Sequence, residues 1–192
     1  VKAIRIAMDG RRGPVWLDVP QDIQNAMVEE EELYPVEEYV SEVEKLADDE
    51  INSIIKELQS AKRPCILAGS GIISGGARKK FAELVDALKV PVIGGAWVAD
   101  NFYLEHELYF GNSGNIGPRT GNFILQNADV IMTFGNSLGF RQTGFNQDCF
   151  APKAKIIMID ADENEAKKPG LRIEKFVKGT TSDVIDRILE IK

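Results

Sequence analysis

From about residue 36 to its end, this chain alternates short apolar segments with helical periodicities, and that alternation limits the fold more than anything else in it. Apolar runs of strand length stand at Cys65–Ala68, Val90–Ile93, Asp129–Phe134, Lys155–Asp160 and Phe176–Val177. Between them, apolar residues recur at helical spacing over 77–88, 118–127 and 181–191. Strands that all run one way need a crossover between them; helices supply it, and the crossover is right-handed. The expected fold is therefore α/β: a three-layer, doubly wound parallel sheet of about six strands, Rossmann-like in its winding.

In such sheets ligands bind where strands end at their carboxyl side. The first strand runs into R-P-C-I-L-A-G-S-G-I-I-S-G-G at 63–76, so Gly69, Ser70 and Gly71 form a tight turn and Gly75–Gly76 lead into the next helix. Glycines there let backbone N–H groups approach a phosphate, although any sharp strand-to-helix turn also calls for glycine. The spacing G-x-G-x-x-x-G-G is not the strict dinucleotide fingerprint. The strand at 129–134 stops at Gly135-Asn136-Ser137, and the strand at 155–160 ends in Asp160-Ala161-Asp162. An acidic residue at such an end either bonds a ribose hydroxyl or caps the following helix. Residues 96–117 carry G-N-S-G-N-I-G at 111–117, too polar for core and suited to a binding or surface loop.

Upstream, 1–9 has a short helical face at Ile4, Ala7 and Met8, and Val15–Val19 suits a strand closed by Pro20. Residues 21–35 read as a linker with the acidic run Glu29–Glu32, and 36–60 as a long amphipathic helix ended by Pro64. The chain opens in mid-pattern without Met, so the expectation is a segment of a longer protein.

Several classes of chemistry find no support. A net charge of −7 gives no basic face for nucleic acid or for an anionic membrane. No apolar run approaches the roughly 20 residues of a membrane span. Cys65 and Cys149 have no motif spacing, so two free thiols in a reducing, cytoplasmic setting are expected. The single His106 has no Cys or His nearby for zinc, and no H-E-x-x-H, G-x-S-x-G or P-loop motif occurs. On the residues alone, this is a small-molecule-binding α/β domain with no catalytic and no metal site.

The motifs taken together resemble a known family. G-R-R-G-P-V-W-L-D-V-P-Q-D-I-Q at 10–24 is similar to the end of the pyrimidine-binding domain of thiamine diphosphate enzymes, the acetolactate synthase group above all. A-K-R-P-C-I-L-A-G-S-G at 61–71, the loop at 111–117, A-D-V-I-M-T-F-G-N-S-L-G-F-R-Q-T-G at 128–144 and I-D-A-D-E-N-E at 159–165 resemble successive stretches of that family's central domain. The resemblance implies a remnant of the pyrimidine-binding domain at 1–20, a linker at 21–35 and a central domain at 36–192. It implies a parent that is a homo-oligomer using thiamine diphosphate and magnesium (Mg) on pyruvate or another 2-oxo acid. The parent's catalytic residues would lie in the pyrimidine- and diphosphate-binding domains, outside this chain.

For the central domain itself the resemblance implies either no ligand or a vestigial FAD or ADP site. By motif, its contacts would be Gly69, Ser70, Gly71, Gly114, Asn115, Gly135, Asn136, Ser137, Arg141, Asp160, Ala161 and Asp162. Flavin-binding members carry an arginine where this chain has Ser137, a histidine at Ile116, and two acidic residues at Gly139 and Phe140. The loss of that arginine removes a natural diphosphate partner, and Arg141 would be a partial substitute. Q-N-A-D at 126–129, R-Q-T-G at 141–144 and K-K-P-G-L at 167–171 look closer to acetolactate-synthase-like proteins of polysaccharide gene clusters. The glycine turns taken alone leave a second reading open, a free-standing nucleotide-binding or regulatory domain.

Overall fold

A computed structural model describes residues 1–29, 33, 46–95 and 106–192. The chain divides into two compact units, Val1–Val43 and Glu44–Lys192. In the first, helix α1 spans Lys2–Met8 and a single turn, α2, spans Gln21–Gln24, inside the segment expected to be a linker. Val15–Val19 is not a strand, contrary to the pattern: it pairs with no other described backbone and leaves Trp16 89 % exposed. Alternating apolar residues make a strand only when a neighbouring edge takes up their N–H and C=O groups. Glu30–Glu32 of the acidic run and 36–45 of the predicted long helix fall outside the described residues, as do 96–105 of the predicted loop.

The second unit is a sheet of six parallel strands in the order β3-β2-β1-β4-β5-β6. The strands are β1 Pro64–Ala68, β2 Val92–Gly94, β3 Tyr109–Asn112, β4 Val130–Phe134, β5 Lys155–Asp160 and β6 Ile173–Lys178. The helices are α3 Asp48–Ser60, α4 Gly71–Ser74, α5 Arg78–Leu88, α6 Arg119–Asn127, α7 Phe140–Thr143 and α8 Thr181–Ile191. The doubly wound expectation holds, and β1 and β4 meet at the point where the winding reverses.

Strand pleating sends successive side chains to opposite faces. From β1, Ile66 and Ala68 enter one apolar cluster with Ile51, Ile54 and Leu58 of α3, Phe81, Leu84 and Val85 of α5, and Val184, Ile185 and Ile188 of α8. Cys65 and Leu67 enter the other, with Leu125 of α6, Leu138 and Phe150. These clusters make the three layers. Burial pushes the Cys65 thiol up to about 12, so it acts as a small apolar core residue. Three acids, Asp48, Asp49 and Glu50, occupy the first turn of α3, where the helix dipole favours negative charge. Thr180 Oγ1 caps α8 by accepting from Asp183 N at 3.2 Å.

Two boundaries differ from the pattern. The turn after β1 is itself helical: Gly71 starts α4, and Gly75–Gly76 separate it from α5, which starts at Arg78. The segment 96–117 contains a strand, β3, at its end. Four residues on a sheet edge, two of them Gly111 and Asn112, give too short an apolar signal to stand out.

Candidate functional site

At the carboxyl end of the sheet, a cavity of about 250 Å³ lies among the loops that follow β1, β2 and β4. Its wall takes Gly69 and Ser70 from the first loop, Gly95 from the second, and Gly135, Asn136, Ser137 and Gly139 from the third, with Phe140, Arg141 and Gln142 of α7. The structure thus gathers six of the residues expected from sequence: Gly69, Ser70, Gly135, Asn136, Ser137 and Arg141.

The β1 and β4 loops are pressed together backbone to backbone. A Cβ on Gly69 would fall 2.0 Å from the Gly135 carbonyl oxygen, and one on Gly71 would fall 2.6 Å from Gly135 Cα. Gly135 has φ +54, a conformation open to glycine. Gly69 N–H donates to Phe134 O at 2.9 Å, and Gly71 N–H to Gly135 O at 3.0 Å. Ile73 and Ser74 N–H both return to Ser70 O at 3.1 Å. These glycines permit a close approach of the chain to itself, and the N–H groups of Gly69 and Gly71 point into that contact. The phosphate cradle suggested by the glycine turn has no such donors from Gly69 and Gly71.

The opposite side is built from polar side chains. Asn136 is buried; its Oδ1 accepts from Leu138 N at 2.9 Å, which holds Leu138 at φ +47. Ser113, fully buried after β3, donates from Oγ to Gly94 O at 3.1 Å and accepts from Gln142 Nε2 at 2.7 Å. Among the described residues, Gln142 Oε1 has no hydrogen-bond partner. The Asn115 N–H donates to Arg141 O at 2.9 Å, so the 111–117 loop and α7 brace each other. Arg141 also lies over the Phe140 ring, 5.9 Å from its centroid. The Lys168 ammonium donates to the Ser137 carbonyl and to the buried Glu165 carboxylate, pinning the β4 loop from its far side.

The remaining expected residues do other work. Gly71 packs behind the wall. Gly114 and Asn122 exchange hydrogen bonds, Gly114 N to Asn122 Oδ1 at 2.9 Å and Asn122 Nδ2 to Gly114 O at 3.0 Å, which closes the 111–117 loop. Asp160 Oδ1 accepts from Asp162 N at 3.0 Å, and Asp162 Oδ1 caps the 3-10 turn Glu163–Lys167 by accepting from Asn164 N at 3.0 Å. Asp160, Ala161 and Asp162 do not line the cavity. Sequence reasoning missed Gln142, Ser113 and Gly95. Their signals were the Q in R-Q-T-G, the serine inside the glycine loop, and the second glycine after β2.

The donor set limits what can bind. Among the described residues no carboxylate lines the cavity, and no three His, Cys, Asp or Glu side chains converge on one point. A metal-bound diphosphate wants oxygen ligands from carboxylates, and the described wall residues supply none for thiamine diphosphate with magnesium. Arg141 is the cation of the wall, and Ser137 stands where a second would help. A flavin or ADP diphosphate therefore finds a poor match in these residues.

The family model described as "Thiamine pyrophosphate enzyme, central domain" matches residues 51–187. The chain belongs to that family. It is 33 % identical over 186 residues, 95 % of this chain, to the acetolactate synthase isozyme 1 large subunit of Escherichia coli K12, and covers 32 % of it. It is 34 % identical over 197 residues, 98 % of this chain, to a probable acetolactate synthase large subunit of Methanococcus aeolicus, again covering 32 % of it. The chain thus spans about a third of the length of the curated relatives it matches. A benzoylformate decarboxylase from Polynucleobacter necessarius superposes with a TM-score of 0.74 at 18 % identity, over 96 % of this chain and 34 % of that one, and supports the fold. The central domain of the family is thus the α/β unit that holds the cavity. Among the described residues, no helix is long and apolar enough to cross a membrane.

Proposed function

We propose that this central domain works as the non-catalytic middle domain of an acetolactate-synthase-like enzyme. The parent would join or split carbon–carbon bonds next to a carbonyl, with pyruvate or another 2-oxo acid as donor and thiamine diphosphate as electron sink. The observation that carries the reading is the family match over 51–187. Residues 1–20 are read as the end of a pyrimidine-binding domain and 21–35 as the linker that follows. The cofactor, its magnesium and the reacting atoms belong to the other domains. In this reading the central domain holds those domains apart and in register within a cytoplasmic homo-oligomer.

The test compares two proteins with pyruvate, thiamine diphosphate and magnesium. The 192-residue chain alone should form no acetolactate and release no carbon dioxide, whereas the longer polypeptide should do one or both. Turnover by the short chain would sink the reading, as would a longer polypeptide with no thiamine-diphosphate-dependent activity on any 2-oxo acid.

A further inference from the structure

The single histidine of the chain, His106, lies in the turn that leads into β3, where the Tyr109 N–H donates to His106 O at 2.9 Å. Its ring is mostly buried and works in two directions. Nδ1 accepts from the Leu108 N–H at 3.1 Å, and Nε2 stands 3.5 Å from Asp86 Oδ1 of α5. Both contacts select the same ring orientation, with Nδ1 bare and the hydrogen on Nε2. Residue 108 then opens the pairing of the edge strand. Leu108 O accepts from Val92 N at 2.8 Å, beside the first pair of the β2–β3 register, Val92 with Tyr109. β3 is four residues long and its register with β2 shifts between Val92 and Gly94, so each contact at its start counts.

Protonation sets the two nitrogens at odds. A histidine cation carries hydrogen on both, so Nδ1–H would face the Leu108 N–H, donor against donor. Asp86 pulls the other way, because a carboxylate favours the cation; Lys89, 3.3 Å from the same Asp86 oxygen, offsets part of that pull. Among the described residues, the other ionisable groups here are Glu107, exposed next in sequence, and Tyr109. The Tyr109 phenol donates to Asn112 Oδ1, and burial raises its pKa, so it stays neutral. The cation can therefore keep Asp86 but not Leu108.

We propose that His106 is a pH-sensitive clasp on β3: the neutral ring holds the start of the strand through Leu108, and protonation releases it. Histidine is the side chain whose charge changes between about pH 5 and 8, so the clasp is closed on the alkaline side and opens as the pH falls. The far end of the strand runs into the 111–117 loop, whose Asn115 N–H braces Arg141 of the cavity wall. The inference rests on the contacts of the ring and is independent of the parent-enzyme reading.

The test is amide hydrogen exchange, read by NMR on the 192-residue chain at about pH 8 and about pH 5.5, with protection corrected for the intrinsic exchange rate. Protection of the Leu108 and Val92 amides should fall about fivefold to tenfold at the lower pH, while that of the β4 amides stays the same. His106→Asn offers the Leu108 N–H an acceptor that does not titrate, so its protection should be alike at both pH values. His106→Ala should show low protection at both. Protection at Leu108 and Val92 that does not fall with pH would overturn the proposal. So would an equal fall in β4, a His106→Asn chain that still loses protection, or a His106→Ala chain as well protected as the parent at the higher pH.

Discussion

The two ends of the sheet handle their polar groups in opposite ways. At the amino end two carboxylates are paired. The Asp129 carboxylate, just before β4, accepts from Lys62 N and Arg63 N, both at 2.8 Å, and so ties the entrance of β1 to that of β4. Glu57 of α3 meets Lys175 at 2.9 Å and Lys155 at 3.3 Å. At the carboxyl end, one wall is glycine backbone packed on glycine backbone, and the other leaves Gln142 Oε1 unpaired beside a small cavity. Fully paired polar groups hold strands in register, and an unpaired buried one is a cost that the fold carries. The difference also splits the glycines into two kinds: Gly69 and Gly71 press on backbone, and Gly95 faces the Asn136 side chain first.

Substitution of the glycines should break this comparison most visibly. Gly69→Ala puts a Cβ 2.0 Å from Gly135 O and 2.4 Å from Gly135 C, backbone that cannot move without shifting β4. We expect a loss of about 4 kcal/mol or more, or no cooperative unfolding transition at all. Gly95→Ala meets a side chain first, Asn136 Nδ2 at 2.7 Å, and then Ala68 O at 3.2 Å. It should cost about 2 kcal/mol, less than Gly69→Ala, because the first contact is a side chain that can shift once its bond from Leu138 N–H gives. Urea denaturation of both variants gives the answer. Equal losses would mean that the two walls are built alike.

Asp129→Ala tests the amino end. It removes the acceptor of two backbone N–H groups at the start of β1 and should cost about 2 kcal/mol. Burial works against this carboxylate, yet the N–H groups of Arg63 and Lys62 outweigh it and hold its pKa below the usual value of 3.8. Ser113→Ala, at the other end, deletes the hydroxyl between Gly94 O and Gln142 Nε2. It should cost about 1 kcal/mol, with Gln142 regaining freedom to turn. Amide hydrogen exchange at Gly94 and Gln142 would show whether the change stays local.

Much of this was legible in the chain itself, for reasons that differ by element. β1, β4 and β5 are buried on both faces and read as unbroken apolar runs, and α8 shows its face at Ile185, Ile188 and Leu189. β3 and the absence of a strand at Val15–Val19 were not legible, since both depend on whether a partner edge stands alongside. The candidate site divides the same way. Glycine turns mark where strands end, so Gly69, Gly135 and Ser137 could be placed beside one another at the carboxyl end of the sheet. Whether a glycine N–H faces a ligand or the next loop is a tertiary fact, and Gly71 shows it. Gln142 escaped because its importance rests on Ser113, 29 residues away in sequence. Asp160 and Asp162 offered two readings, and both make hydrogen bonds of the turn and the cap.

The smallest effect should come from Glu57, and it is the one with a pH signature. Its bond to Lys175 is the first cause that lowers its pKa from 4.5; burial raises it, and Lys155 adds to the lowering. A carboxylate whose folded pKa is depressed stabilises the fold above its unfolded pKa, and that stability is lost as pH falls through the folded value. Glu57→Gln should therefore cost a fraction of a kcal/mol near neutral pH, because both lysines are partly exposed and solvent screens the pair. The difference from the parent chain should shrink to nothing as the pH is taken well below 4.5. No cavity residue is touched by this change, so amide hydrogen exchange at Gly94 and Gln142 should be the same in both proteins at every pH. Exchange there that altered with Glu57 would mean that the two ends of the sheet are coupled, and that the paired end does more than hold strands in register.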